Sequence, residues 1–503
     1  MYDDYDPKER EHSLLPHVES QKDLAYYTPM QVFQHATRKP KLFKTIKEIL
    51  LDTIPSTMGL LFIFICETIN IVYIGSTENS NDIAAIGLGT IYINATGYIL
   101  GVGLLGGLDT LCSQSYGARE FYLLGIYSNV ARIIVTVFFL IICIPCIFYC
   151  ESLLLLIGQV DEVSHGAGTF VKSMIPALFF GLHYNTNLRY IQSMNIFLPG
   201  MIVTLFTAVF HSLWCYLFII FFQFGLTGAG YAMGITQLLN WFLISVYIHY
   251  YNPCPDSYFY PNEDTWNIER FKDYLKYAIP AAILFAADWL GFDFLTIMAS
   301  YMGPVDLAAN VCLFNFITLI FMIPMGLSFA ATTLVGNSIG SGNIIKAKNY
   351  AKISVIIGSF IVGAVTIFIV FFKDMIPYIY TNDLIIAKLV TSLLDIYIWF
   401  GIIDAIQIIL HGIIKGLGKQ KIASIVALVV LYPIMLPLAY ILAFELNLGI
   451  YGLWYSQLIS VFILAGSYFI IIFLLDWQDI SDKSVSDFAD LRKSIDSKGY
   501  KSQ

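Results

Sequence analysis

The sequence predicts an all-α polytopic membrane protein with twelve transmembrane helices in two six-helix lobes. Three observations support this fold class: the composition, the length of the apolar runs, and an internal repeat. The 503 residues are 57% hydrophobic and only 13% charged, and the mean hydropathy is +0.71. Soluble proteins carry about 25% charged residues. We therefore expect a lipid bilayer as the surroundings of the chain and no nucleic-acid partner.

Apolar runs of membrane-spanning length fill the chain between its polar ends. A helix needs about 20 apolar residues to cross the hydrocarbon core, and Gly, Pro, Asn and charged residues separate the runs. The predicted spans are 50–75, 84–112, 121–149, 163–187, 196–221, 226–250, 274–301, 307–333, 349–372, 386–412, 420–444 and 449–475.

The two halves of the chain repeat the same landmarks in the same order. Pro55 recurs as Pro280, Ala84 as Ala308 and Gly117 as Gly340, at offsets of 225, 224 and 223 residues. A duplicated set of spans is typical of secondary transporters, in which the substrate site lies between the copies. Six spans per half is an even number, so we expect a pseudo-two-fold axis along the membrane normal.

The basic residues predict the orientation of the chain. All Lys and Arg residues except Lys172, Lys373, Lys388 and Arg132 fall in segments that are cytoplasmic if the N-terminus is inside. Such a bias marks the cytoplasmic side. The predicted organisation is a cytoplasmic N-terminal tail, an N-lobe, a cytoplasmic inter-lobe loop, a C-lobe and a flexible cytoplasmic C-terminal tail. Their bounds are 1–47, 48–251, 252–272, 273–475 and 476–503.

Acidic residues inside the predicted spans are the main candidates for function, because a charge in the bilayer is costly unless it is paired or faces water. Asp404 lies in the middle of span ten, one turn before Gln407, and we expect it to act in transport. Asp288 and Asp293 share span seven, about 140° apart around the helix axis. We therefore expect one to face the central cavity and the other to face the interior of its own half.

The other polar residues in the spans are assigned differently. Asp109 and Arg132 are expected to pair with each other, and His183, His211 and His411 to serve as polar packing residues. Glu67 lies one turn before Asn70 in span one, and a structural role and an ion-coupling role are equally open for it. Trp289 adjoins an acid inside the membrane, where either packing or a cation–π contact with an organic cation would suit it.

Several motifs together resemble the multidrug and toxic compound extrusion (MATE) family. The segment 108–118 (LDTLCSQSYGA) resembles the family box "LdTLcgQAyGA". Pro324 to Ser328 and the segment 335–343 resemble the eukaryotic "P-x-G" and "RVSNELGAGN" boxes, and 412–420 resembles "G-x-x-RGxGxQ". The resemblance covers residues 48–475.

This resemblance implies proton-coupled export of organic cations or xenobiotics. The family's span-seven pattern "E-W-W-x-F/Y-E" is matched by Asp288, Trp289, Phe292 and Asp293, and Asp404 matches the acid of span ten. These acids are the implied proton and cation sites.

Asn315 stands where plant members carry Asn and animal members Glu, so the site resembles the plant type. Asn70 replaces the ion-binding Asp of many bacterial members, which argues against an N-lobe site of that kind unless Glu67 substitutes for it. Trp289, Asn315, Gln407, Glu67 and Asn70 are thus candidate cleft-lining residues.

Three alternatives stay open at this point. A lipid-linked sugar flippase shares the fold class but would need a basic cleft, a Na⁺-coupled exporter would use the same acids, and a membrane enzyme would need a catalytic cluster that the sequence does not offer. We expect a monomeric, non-enzymatic chain without cofactor or metal, whose partners are small organic cations and protons or Na⁺. A plasma or vacuolar (endomembrane) location follows from the resemblance.

Overall fold

A computed structural model describes residues 42–75 and 80–496. Across this part of the chain the secondary structure is helical, and twelve membrane-spanning segments follow one another. Eleven are continuous apolar helices of at least 18 residues. Their bounds are Leu42–Gly75 (α1), Asn81–Gly117 (α2), Phe121–Leu156 (α3), Leu198–Phe221 (α5), Gly225–Tyr251 (α6), Ile268–Ser300 (α7), Pro304–Gly340 (α8), Ile344–Phe372 (α9), Leu384–Gly416 (α10), Gln420–Glu445 (α11) and Ile450–Leu474 (α12).

The fourth span is built from two helices rather than one. Asp161–Ser173 and Ile175–Ser193 together form α4, with a break at Met174. Pro176 at the start of the second helix has no backbone N–H and cannot continue the first helix without a clash. With α4 counted, the predicted twelve-span fold is confirmed, and the predicted bounds differ from the observed ones by up to eight residues per end.

Two separate apolar cores follow the two halves of the chain. Buried residues of α1–α6 form one hydrophobic cluster, which includes Leu124, Val130 and Leu182. Buried residues of α7–α12 form two others, which include Leu327, Ile409 and Leu464 in one and Leu313 in the other. Each half therefore folds around its own core, as expected for an N-lobe and a C-lobe.

The lobes are joined most tightly at one end of the bundle, where α2 and α8 finish. A Cβ atom on Gly117 would overlap the backbone of Asn337, and a Cβ atom on Gly340 would overlap the backbone of Gln114. These four residues are two equivalent pairs of the sequence repeat, so the contact is reciprocal. That reciprocity is the local expression of a pseudo-two-fold axis between the lobes. We call this end of the bundle the closed end.

A cleft separates the lobes at the opposite, open end. It is lined by the second half of α1 together with Ser212 of α5 and Leu319 of α8, and its volume is about 380 Å³. Because α1 and α5 belong to the N-lobe and α8 belongs to the C-lobe, this cleft lies between the two lobes. The structure therefore describes a molecule that is sealed at one end and open at the other.

Helix bends occur at related places in the two lobes. A π-helical turn, Tyr216–Phe221, ends α5, and another, Ile441–Glu445, ends α11 at the equivalent position of the repeat. Further π-helical turns lie in α2, α3 and α11, at Asn94–Tyr98, Phe139–Cys143 and Val430–Met435. Short 3₁₀ turns occur at Pro255–Ser257 and Ile376–Ile379.

The ends of the chain differ from the sequence-based expectation. Most of the predicted N-terminal tail lies outside the described residues, but α1 already begins at Leu42. The inter-lobe loop is shorter than predicted, because Asn267 caps α7 by accepting a hydrogen bond from the backbone N–H of Glu269 at 3.1 Å. The segment predicted to be a flexible C-terminal tail instead forms a helix, Trp477–Asp496 (α13), which lies against the closed end.

Candidate functional site

A small cavity of about 40 Å³ lies inside the C-lobe. Five helices contribute to its wall, because the acids predicted on α7 and α10 face residues of α8, α11 and α12 across it. The lining residues are Asp288, Trp289, Gly291, Phe292, Phe314, Ile317, Thr318, Phe321, Asp404, Gln407, Leu431, Gln457, Val461 and Leu464.

Two of the three predicted acids lie in the wall of this cavity. Asp288 comes from α7 and Asp404 from α10, and they are close enough for their charges to interact. Asp404 is only 7% exposed, and Gln407, one turn along α10, lines the same cavity. Two neighbouring carboxylates away from bulk water give the cavity a negative electrostatic character.

Aromatic rings form the apolar part of the wall. The ring of Trp289 lies 5.8 Å from that of Phe321 and 6.2 Å from that of Phe285, measured between centroids. The rings of Phe292 and Phe314 lie 5.5 Å apart. Aromatic faces beside carboxylates suit an organic cation, because each ring attracts positive charge through its π electrons.

The remaining C-lobe candidates lie beside the cavity rather than in its wall. Asp293 is half-buried on α7 but is not among the lining residues, in keeping with its predicted rotation from Asp288. Asn315 donates a hydrogen bond of 2.9 Å to the carbonyl of Val311 in its own helix. Its neighbours Phe314 and Thr318 line the cavity instead.

His411 is a site neighbour that the sequence interpretation assigned to packing. Its Nδ1 lies 3.5 Å from Oδ2 of Asp288, and its side chain is 11% exposed. The Nε2 atom is buried without a hydrogen-bond partner in the described part of the chain. The sequence does contain a signal for this contact, because His411 follows Asp404 by seven residues, or about two helical turns.

The N-lobe candidates form a separate polar region. Asn70 accepts a hydrogen bond from Sγ of Cys215 at 3.2 Å, and His211 contacts Thr236 at 2.8 Å. Glu67 is half-buried on α1 and lies close enough to Tyr98 for an electrostatic interaction. Neither Glu67 nor Asn70 lines the C-lobe cavity. The structure therefore places the two groups of candidates in different lobes.

A buried ion cluster joins the lobes at the closed end. Asp109 of α2 forms ion pairs with Arg189 of α4 and, at 2.9 Å, with Lys415 of α10. The cations of Arg189 and Lys415 lie 5.0 and 5.7 Å from the ring centroid of Phe329. Because Asp109 and Lys415 belong to different lobes, this cluster must separate if the closed end opens.

The pairing of Asp109 with Arg132 was predicted and is wrong. Arg132 instead donates hydrogen bonds to the side-chain oxygens of Asn129, at 2.7 Å, and Asn187, at 3.1 Å. Span length explains the error, because α4 brings Arg189 next to Asp109 and leaves neutral amides for Arg132. The lone predicted membrane cation is thus satisfied by neutral oxygen atoms.

Hydrogen bonds between the lobes reinforce the closed end. The hydroxyl of Thr110 donates to the carbonyl of Lys415 at 2.8 Å, and the amide of Gln114 donates to the carbonyl of Gly416 at 2.9 Å. The amide of Gln420 in turn donates to the hydroxyl of Thr110 at 3.3 Å. All three bonds cross from one lobe to the other and involve the boxes singled out in the sequence.

Comparison with known proteins gives concordant results. A family model described as MatE matches residues 55–217 and again 280–441, once in each half of the chain. Multidrug and toxin extrusion protein 1 of Xenopus tropicalis is 28% identical over 94% of this chain and 80% of its own length. Protein DETOXIFICATION 9 of Arabidopsis thaliana is 30% identical over 74% of this chain and 77% of its own length.

A solved structure also has the same fold. The crystal structure of the eukaryotic MATE transporter AtDTX14 matches 89% of this chain and 99% of its own, with a TM-score of 0.83 and 23% identity. At that identity the match concerns the fold alone. The match nevertheless covers both lobes, so the twelve-helix, two-lobe arrangement is shared over nearly its full length.

Proposed function

Since this chain belongs to the MatE family of multidrug and toxin extrusion transporters, we propose that it exports organic cations or xenobiotics in exchange for protons. The single observation that carries this proposal is the chemistry of the C-lobe cavity. Two carboxylates, Asp288 and Asp404, share its wall with aromatic rings, and no Lys or Arg lies among the lining residues. Such a wall attracts cations and disfavours anions.

Mutual exclusion of cargo and proton supplies the coupling. An ionised carboxylate attracts a cationic cargo, whereas a protonated carboxyl group is neutral and does not. Removal from water also disfavours the charged form of an acid in general, which makes buried carboxyl groups ready proton acceptors. If cargo and proton compete for Asp288 and Asp404, each lowers the affinity for the other by the same factor.

Alternating access exposes the site to each side in turn, so the proton gradient sets the direction of transport. We place the closed end in the cytoplasm, in agreement with the distribution of basic residues, so that the open end faces outward. In this state protons arriving from outside would neutralise Asp288 and Asp404 and release the cargo. Asp293 lies nearer the open end of α7, and we assign to it the first acceptance of those protons.

The closed end would then have to open for cargo to enter from the cytoplasm. That step separates Asp109 from Lys415 and Gly117 from Asn337, which belong to opposite lobes. Rocking of one lobe against the other is the usual way in which duplicated transporters alternate access. The acids of the cavity disfavour a cargo linked to pyrophosphate, so we do not favour the flippase alternative.

Efflux from proteoliposomes tests the proposal. Purified protein is reconstituted, the vesicles are loaded with a fluorescent organic cation, and a proton gradient or a Na⁺ gradient is imposed in separate runs. We expect the proton gradient to drive efflux and the Na⁺ gradient to leave it at the rate of protein-free vesicles. Efflux driven only by Na⁺ would replace protons by Na⁺ as the coupling ion, and no cation efflux in either run would refute the export function.

A matched pair of variants tests whether the C-lobe cavity is the site of exchange. Asp404→Asn should abolish proton-driven efflux, because the amide can neither ionise nor attract the cargo. Asp374→Asn changes an exposed acid outside the spans and should leave efflux unchanged. Normal efflux by Asp404→Asn would contradict the proposed use of the C-lobe cavity.

A further inference from the structure

One face of α10 carries three ionisable side chains that link the cavity to the closed end. Asp404, His411 and Lys415 are separated by seven and by four residues, close to two turns and one turn of helix. They therefore form a stripe along α10. Asp404 lies in the cavity wall, and Lys415 lies in the ion cluster between the lobes. His411 occupies the position between them.

His411 interacts both with the cavity and with the ion cluster at the closed end. Its Nδ1 approaches Asp288 of the cavity at 3.5 Å. The other charged groups that act on it are Lys415, one turn further along α10, and Asp109 of α2. Its Nε2 is buried and without a partner in the described chain, although a buried ring nitrogen is normally bonded. A histidine in contact with a carboxylate can share a proton with it.

We propose that His411 is a further proton-carrying residue of the transporter, in addition to the carboxylates, which shares protons with Asp288 and relays the protonation state of the cavity to the ion cluster at the closed end. This inference rests on the proposed proton exchange. With one proton, the pair consists of an imidazolium and a carboxylate, and its charges cancel. With a second proton on Asp288, the imidazolium of His411 keeps a positive charge without its partner.

The uncompensated charge then acts on the neighbouring turn of α10. Two cations, His411 and Lys415, compete for the single carboxylate of Asp109, in addition to Arg189. Like charges one turn apart repel each other on a helix, and the contact between Lys415 and Asp109 is weakened. Protonation from outside thus favours separation of the lobes at the closed end, which is the direction that an exchanger needs after it has released its cargo.

The dependence of the efflux rate on the outer pH tests this proposal. At low proton occupancy, a step that requires one proton changes by about tenfold per pH unit, and a step that requires two protons by about a hundredfold. We expect the slope of His411→Gln, which retains a polar side chain but does not titrate, to be smaller than the wild-type slope by about one, because one proton fewer is taken up. His183→Gln, a change in the N-lobe, is the control and should keep the wild-type slope.

The outcomes separate this inference from the proposed function. A slope of zero for the wild-type chain would refute proton exchange itself. An equal slope in wild type and His411→Gln would overturn the role of His411 while leaving proton exchange intact. If His411→Gln is poorly folded, His411→Asn provides the same comparison with a shorter amide. A merely structural role would lower the rate without changing the slope.

The C-terminal helix α13 crosses from one lobe to the other. Trp477 and Ile480 near its start pack in the hydrophobic core of the C-lobe. Phe488 and Ile495 in its second half pack in the core of the N-lobe. The buried positions recur every three to four residues, so a single apolar face of the helix makes both contacts.

Polar contacts reinforce this bridge on each side of the junction. The hydroxyl of Ser481 donates to the carbonyl of Ile339 in the C-lobe at 2.9 Å. The hydroxyl of Ser484 donates to the side-chain oxygen of Gln114 in the N-lobe at 3.0 Å. Gln114 is also one of the residues that join the lobes directly, through Gly416. The helix is thus fastened where the lobes meet.

We infer that α13 is a strap that holds the closed end shut and has to leave the N-lobe before that end can open. The N-lobe side is the one that releases, because α13 follows directly on α12 and is tethered to the C-lobe. A negative charge on Ser484 would be buried against the oxygen of Gln114 and would detach the strap.

Hydrogen–deuterium exchange of the full-length protein, without cargo or gradient, tests the strap independently of what the protein transports. Ser484→Glu should make peptides that cover 106–120 exchange several-fold faster. Ser486→Glu, on the exposed face of the same helix, should leave them unchanged. Phe488→Ala serves as a second variant and should act like Ser484→Glu. Exchange at the closed end equal to wild type in both Ser484→Glu and Phe488→Ala would overturn the strap.

Discussion

The buried carboxylates of this protein occur in two settings that differ in their cations. At the closed end, Asp109 is held between Arg189 and Lys415, and the cluster carries at least as much positive as negative charge. In the C-lobe cavity, Asp288 and Asp404 belong to the same wall, and His411 is in contact with Asp288. Both settings are shielded from bulk water, and both lie on helices that carry family motifs.

Burial alone therefore does not assign a function to an acidic residue within the membrane. A carboxylate fixed between two cations stays ionised, and breaking its ion pairs leaves an uncompensated charge. A carboxylate without such partners can be neutralised by a proton or by a cationic cargo. The first arrangement suits a structural contact between lobes, and the second suits a site that changes charge during each cycle.

The same substitution in the two settings gives the largest contrast. Asp404→Asn should lower proton-driven efflux about 100-fold or more, because a charge attraction in surroundings of low dielectric is worth several kcal/mol. Thermal unfolding of this variant in detergent should show equal or higher stability than wild type, since an uncompensated acid is removed. A marked loss of stability would assign Asp404 to the structural class.

Substitution of a buried acid at the closed end should lower the thermal stability of the protein most. Asp109→Asn leaves Arg189 and Lys415 buried without an anion, and breaking such a buried pair costs about 3–5 kcal/mol. The unfolding temperature should fall clearly below that of Asp404→Asn under the same conditions. Equal unfolding temperatures for the two variants would remove the distinction between paired and unpaired acids.

The close packing at the closed end can be tested at two glycines that occupy equivalent positions of the sequence repeat. Gly117→Ala and Gly340→Ala each introduce a methyl group against the backbone of the other lobe, where overpacking costs about 1–3 kcal/mol. By the two-fold relation both should shift the molecule toward opening at that end by similar amounts. Exchange of the peptides at 106–120 is the measurement. Gly466→Ala, which meets open space on α12, is the control.

The aromatic wall should affect cargo affinity rather than coupling. Trp289→Leu removes a cation–π partner worth about 0.5–2 kcal/mol, so the KM for an organic cation should rise about 2- to 30-fold. The pH dependence of efflux should stay as in wild type. Trp289→Phe keeps an aromatic face and should lose less. An unchanged KM in Trp289→Leu would restrict this ring to packing.

The smallest effect is expected for an exposed ion pair. Lys373, just after α9, donates to Asp395 at 2.5 Å, and this hydrogen bond raises the pKa of Lys373 above its ordinary value. Any stabilisation is present at neutral pH and is lost only as the pH rises through the raised value, but solvent screens such a pair. Lys373→Met should therefore leave the unfolding temperature unchanged at neutral pH. A clear decrease would show that ion pairing stabilises this protein outside the membrane as well as within it.

Much of the architecture could be predicted from the sequence. Span length, the repeat of Pro55 at Pro280, and punctuation by Gly and Pro fix the number and order of the helices, because the bilayer imposes a length and a polarity on each span. The acids of α7 and α10 were also identifiable, since charge inside an apolar run stands out. Helical periodicity separated Asp288 from Asp293 before any contact was known.

The ion-pair and hydrogen-bond partners of the buried charged residues depend on the tertiary structure. The sequence placed Asp109 opposite Arg132, but the ends of α4 and α10 bring Arg189 and Lys415 to it, from residues 80 and 306 positions away in the chain. The fold of α13 was missed for a similar reason. Its polar composition predicts little helix by itself, and the helix is stabilised by an apolar face that packs across two lobes.

The nature of each segment, whether a span, a repeat or an acid within the membrane, can thus be recognised from the chain alone. The tertiary structure decided which acids are neutralised by cations and which are left for protons or cargo. The physical reason is that hydrophobicity and helical period act along the chain and are visible in one dimension, whereas electrostatic pairing depends on distances of a few ångströms between segments that are far apart in sequence.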